Sequence, residues 1–85
     1  MRKVINIVGV GNRMSGTGKN SGKPYDFTPV AFTYDDPFVH GVKCATVNVN
    51  QDAFGPDYVP SVGDCVEVVM REDFRTGRVY VEAFL

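Results

Sequence analysis

Clusters of Gly, Pro, Asn and Asp cut this chain into short Val-rich runs, and no run keeps a helical apolar period over ten or more residues. Such a chain has no amphipathic helix to bury, so its apolar side chains must be sequestered by alternating strands. Five strands are predicted. The first is residues 3–10 (KVINIVGV), and the second, residues 25–34, follows a glycine-rich loop. An Asp35-Asp36-Pro37 turn leads to the third, residues 42–49 (VKCATVNV). The polar stretch 50–60 has room for one short helical turn at most, and Ser61-Val62-Gly63-Asp64 turns directly into the fourth strand, residues 65–70. Residues 71–77 form a hairpin loop before the last strand, residues 78–85. Period-2 alternation puts Val66, Val68 and Met70 on one face of the fourth strand. It puts Val79, Val81, Ala83 and Leu85 on one face of the fifth, with Arg78, Tyr80, Glu82 and Phe84 on the other.

Five short strands in 85 residues, with two long hairpin loops, suit an all-β fold: a five-stranded small barrel of the oligonucleotide-binding (OB) type, which leaves no exposed edges. An SH3-like barrel fits the same pattern. A single domain over residues 1–85 is expected. A chain of this size buries only about 60% of its unfolded surface, so a stabilising homodimer is expected too.

Charge narrows the function. The net charge is −1 and the pI about 5.6, which excludes a polybasic binder. The charge is nevertheless segregated: the first 25 residues hold Arg2, Lys3, Arg13, Lys19 and Lys23 and no acid, while all ten Asp and Glu lie from Asp26 onward. The apolar run at residues 4–10 is far short of a membrane span and lacks a signal-peptide cleavage pattern, so a cytosolic protein with no membrane partner is expected. Cys44 and Cys65 lack metal-site spacing and sit in Val-rich runs, and are read as buried free thiols.

Motifs for other chemistries fail on their residues. Between Gly16 and Gly22 lie five residues where a phosphate-binding Walker loop has four, and Lys23 is followed by Pro24 where that loop needs Ser or Thr. Gly9-Val10-Gly11 follows a strand, but Met14 holds the place of the third dinucleotide-fingerprint glycine and no helix follows. The one histidine, His40, lies in a turn, and the adjacent Asp35 and Asp36 would point to opposite faces of a strand. No nucleophile-and-base pair emerges, so no catalysis, cofactor or metal is expected.

Residues 13–32 carry the functional signal. A cationic loop whose Gly16, Gly18 and Gly22 let the backbone bend around a ligand runs straight into Tyr25, Phe27 and Phe32. Mobile positive charge suits the phosphates of a nucleic-acid strand, and flat rings suit its unstacked bases. Tyr25 and Phe27 share one strand face and Phe32 and Tyr34 the other, so one pair is core. Tyr25 and Phe27 are assigned to ligand because they adjoin Lys23; the reverse assignment would expose Phe32 and Tyr34. Asp26 faces away from Tyr25. Phe74, between arginines near the tip of the last hairpin, is assigned a binding role.

In order and spacing these residues resemble the filamentous-phage gene V single-stranded DNA-binding proteins. The resemblance is carried by the basic glycine loop leading into Gly22-Lys23-Pro24-Tyr25, by Val42-Lys43 opening the third strand, by Tyr58-Val59-Pro60 before the fourth, and by Phe74 in the late hairpin. It spans residues 3–85. It implies an OB-type homodimer that coats viral single strands cooperatively, with little sequence preference, in the bacterial host cytoplasm, and that can repress translation of phage messages. It implies Arg13, Lys19 and Lys23 on phosphates, Tyr25 and Phe27 near bases, Lys43 contributing from the third strand, and Phe74 reaching DNA or a neighbouring dimer. One departure stands out: the family's last strand presents basic residues, whereas this one has Glu82 and only Arg78.

The leading expectation is thus a sequence-tolerant single-stranded DNA-binding protein. The alternatives are a small-barrel protein-interaction module, and an RNA-binding OB or SH3-like domain.

Overall fold

The computed structural model describes residues 1–20, 22–55 and 58–85; Ser21 of the glycine-rich loop and residues 56–57 of the polar stretch lie outside it. The described residues form β1 (Arg2–Val10), β2 (Met14–Thr17), β3 (Pro24–Asp35), β4 (Val42–Asn50), a 3-10 turn (Gln51–Phe54), β5 (Cys65–Asp73) and β6 (Arg78–Phe84). All six strands belong to one antiparallel sheet, ordered β2-β3-β1-β5-β6, with β4 pairing β3.

The long β3 organises the sheet. Its residues 27–35 pair β4 along one edge. On its other edge, residues 30–33 pair β1 and residues 24–27 pair β2. Strands β1 and β2 are therefore one chain path along the same edge of β3, held between them by the Gly11 N–H donating to the Pro29 carbonyl at 2.8 Å. Beyond the last β4 partner, Asn50, β2 and the start of β3 project as a two-stranded arm.

Alternation builds the core from one parity of each strand. Ile5 and Ile7 of β1, Val30, Phe32 and Tyr34 of β3, Val49 of β4, and Val68 and Met70 of β5 are buried, with Phe54 of the 3-10 turn. The Phe54 ring lies 4.8 Å from Phe84, tilted by 43°, and Tyr58 stacks on Phe84 at 5.4 Å.

Four expectations are corrected. The sheet has six strands, because residues 14–17 of the glycine-rich loop pair with β3, where Ser and Thr alternate with a glycine that accommodates a ring. The barrel is open. Strands β4 and β6 run in the same direction and face each other across a cleft of about 850 Å³, with no ladder joining them. Lys43, on the inward parity of β4, pairs there with Asp36 and Glu72, and closing the edges would draw these charges out of water. Third, strand β5 continues to Asp73, and a bulge opposite Val69 and Met70 reverses the alternation of β6. Phe84 consequently pairs with Val68 on the core face, and Ala83 pairs with Val69 on the outer one. Finally, Cys44 and Cys65 are exposed, not buried, because both fall on outward parities.

Candidate nucleic-acid interface

Outward residues of β3 lie opposite outward residues of its neighbours, so the face can be read as rows across the sheet. Gly16 lies opposite Tyr25; Met14, Phe27 and Asn50 form the next row; Pro29 lies opposite Asn48; Gly9, Ala31 and Thr46 form a further row; and Asn6, Thr33 and Cys44 the last. None of these side chains is charged. The Tyr25 and Phe27 rings are 5.8 Å apart and tilted by 36°, and Tyr25 is 44% exposed whereas Phe32 is fully buried. The ring pair is therefore a shallow platform at the root of the arm, and Phe32 with Tyr34 belongs to the core.

Gly16 makes that platform possible. A Cβ at this position would lie 2.8 Å from the Tyr25 hydroxyl oxygen and 3.0 Å from the ring carbon bearing it. The tyrosine ring thus lies against bare backbone, and any larger residue at position 16 must displace it.

The arm carries charge at its tip. The ladder ends at Thr17 and Pro24, and the turn beyond is closed by Gly18 N–H donating to the Lys23 carbonyl and Gly22 N–H to the Gly18 carbonyl, both at 2.9 Å. Gly22 sits at φ +66°, a conformation that favours glycine. Lys19 and Lys23 are both exposed within or beside this turn, next to Tyr25.

Two cations named from the sequence lie elsewhere. Arg13 turns to the Asp26 side of the arm, away from the rings, where Nε meets Oδ1 at 2.8 Å and Nη2 meets Oδ2 at 2.5 Å. This two-pronged bond, first by its hydrogen bonds, holds the Asp26 carboxyl below the usual carboxylate range and the Arg13 guanidinium above its own. Lys43 occupies the cleft face of β4, 3.5 Å from Glu72 and 3.8 Å from Asp36. Tyr34, then Glu72 and Asp36, hold its ammonium above the ordinary lysine value. Phe74 is 89% exposed on the β5–β6 hairpin, away from the arm. The structure gathers Lys19, Lys23, Tyr25 and Phe27 at one place and leaves Arg13, Lys43 and Phe74 outside it.

Sequence reading passed over several residues of this face. Asn48 and Asn50 flank the rings from β4, and only the β3–β4 register reveals it. Met14, 51% exposed, lies opposite Phe27 on a strand without apolar alternation. Glu82 answers to Arg71 at 3.4 Å, and the Arg71 guanidinium lies 4.9 Å from the Tyr80 ring centre, so the last strand presents a paired surface. Among the described residues no group of three or more His, Cys, Asp or Glu converges, and no helix is long and apolar enough to cross a membrane.

In comparisons with known proteins, no family model, curated protein or solved structure matches this chain.

Proposed function

We propose that this protein binds single-stranded DNA with little dependence on sequence, as a homodimer of the kind the filamentous-phage gene V proteins form, acting by coating and without catalysis in the host cytoplasm. One observation carries the reading: a ring pair, exposed at Tyr25 and half-buried at Phe27, among uncharged neighbours at the root of a hairpin arm whose tip bears Lys19 and Lys23. Phosphates track the cationic tip while successive bases stack on Tyr25 and Phe27, an arrangement that tolerates any sequence because every base has a flat face. The OB-type path of the strands, with the arm leaving the edge of an open barrel, agrees with the same reading.

Titration with oligo-dT, followed by the fluorescence of four tyrosines in a chain without tryptophan, tests it. At about 0.7 per phosphate contact, two contacts from the arm tip give a log K against log salt slope of about −1.4 per protomer. A slope near about −2.8 would mean that Arg13 and Lys43 leave their ion pairs and join them. Replacing Lys19 and Lys23 together by Ala should flatten the slope by more than about one unit. An unchanged slope removes the arm from the site. Binding that ignores salt points instead to a protein-interaction module, and tighter binding of the matching RNA to an RNA-binding domain.

A further inference from the structure

We infer that Asn48 and Asn50 read the edges of bases stacked on the ring platform, giving the protein a base preference at one or two nucleotides of each site. The inference rests on the strand-binding reading above. It starts from an oddity of β4. Asparagine is disfavoured in strands, yet two stand at alternate positions of this one, both exposed and both on the outward parity. Neither carboxamide bonds to another group among the described residues, and Asn50, at the N-cap of the 3-10 turn, makes no side-chain capping bond.

Their placement supplies the reason. Asn50 lies directly opposite Phe27, and Asn48 directly opposite Pro29, one step along the same face. Side chains paired this way have Cβ atoms about 4.5–5.5 Å apart. A base stacked over Phe27 extends past the ring and brings its edge above β4. A carboxamide offers a donor and an acceptor side by side, which matches the adjacent hydrogen-bonding groups on a base edge. Single strands leave those edges unpaired and open to such contacts. No charged side chain stands in the rows beside the rings, because Asp26 and Lys43 both lie on the opposite parity of their strands, and the outward Asp35, Arg2 and Glu67 lie further along the sheet. Stacking alone would produce only mild preferences, set by ring overlap. Two carboxamides beside the rings add a directional contact that differs between bases.

The test uses full-length protein and a set of oligo-dT strands of one length in which a central block is replaced by dA, dC or dT with an abasic gap. Wild-type protein should rank these ligands over a range of about fivefold or more. Asn48→Ala with Asn50→Ala should collapse the range to within about twofold while leaving affinity for the poorest ligand and the salt slope unchanged. Both positions are exposed, so the thermal midpoint of the double variant should match wild type, and a Thr46→Val control on the same face should keep the ranking. Equal binding of all blocks by wild type, or a ranking that survives in the double variant, overturns the inference while strand binding stands. Absence of salt-dependent binding to every oligonucleotide overturns the strand-binding reading, and base reading with it.

Discussion

Arg13 shows how one residue's partner decides its availability. Phosphate must compete with Asp26, which holds the guanidinium by two bonds on the far side of the arm. Asp26→Asn should therefore free Arg13, tighten binding of oligo-dT and steepen the salt slope by about 0.7. The lowered Asp26 pKa has a definite sign: the pair persists above the ordinary carboxylate value and is lost only as pH falls through the depressed one. Affinity between pH 5 and 8 should thus show no pH dependence from this carboxylate, which stays ionised and paired throughout, as titrations at several pH values would reveal. The rings give a second contrast at the same scale. Tyr25→Ala should cost about 1–3 kcal/mol of single-strand affinity with little loss of stability. Phe32→Ala, emptying a fully buried site, should cost about 3–5 kcal/mol of stability instead. Denaturant melts beside binding titrations separate the two; a Tyr25→Ala protein that binds normally would retire the platform.

Among the elements, the turn before β5 is held by several bonds. Tyr58 donates to Asp64 Oδ2 at 2.8 Å, the Ser61 N–H donates to the same oxygen at 3.0 Å, and the backbone of Gly63 and Asp64 exchanges bonds with Ile7. Partial burial, then the bond to Asp64, pushes the Tyr58 phenol up to about 12 from an ordinary 10.0. The folded state therefore holds this proton more tightly than the unfolded chain. The stabilisation is complete below about pH 10 and is lost as pH rises towards about 12. Tyr58→Phe should cost about 1 kcal/mol near neutrality and should flatten the fall in stability across that alkaline window, as chemical denaturation at graded pH will show. The Tyr-x-Pro segment was legible as a feature of the sequence, but not as a clamp on the start of β5, because its partner Asp64 read only as a turn former. Strand β2 was illegible for a related reason: Met14–Thr17 has no apolar alternation, and its pairing comes from β3, not from its own propensity.

At the scale of the whole molecule, two aromatic tips share one end. Lys43 reaches both Asp36 of the β3–β4 turn and Glu72 near the β5–β6 turn, drawing the two hairpins together. Phe38 and Phe74 crown them at 95% and 89% exposure. On the proposed function, these rings are placed to meet the neighbouring dimer on a coated strand. Phe74→Ala should then weaken binding to long single strands more than to an oligonucleotide holding one dimer. Equal losses on both lengths would place the ring within a single dimer's site, and no loss on either would leave it an ordinary exposed residue.

Sequence by itself determined the all-β class, most of the strand positions, and the parity that separates Tyr25 and Phe27 from Phe32 and Tyr34. These follow from local rules: glycine and proline punctuation, and the two-residue period of a strand. Pairing decided the rest. Which parity faces inward depended on Ile7 meeting Phe32 across the β1–β3 ladder. The inward turn of Phe84 depended on a bulge that no single-strand pattern records. The company of Tyr25 and Phe27 depended on register, which set Gly16 and Asn50 beside them and left Arg13 and Lys43 paired with carboxylates away from the rings. Charges far apart in sequence find partners only once the chain is folded, so the sequence could name Arg13 and Lys43 as cations but not their carboxylate partners.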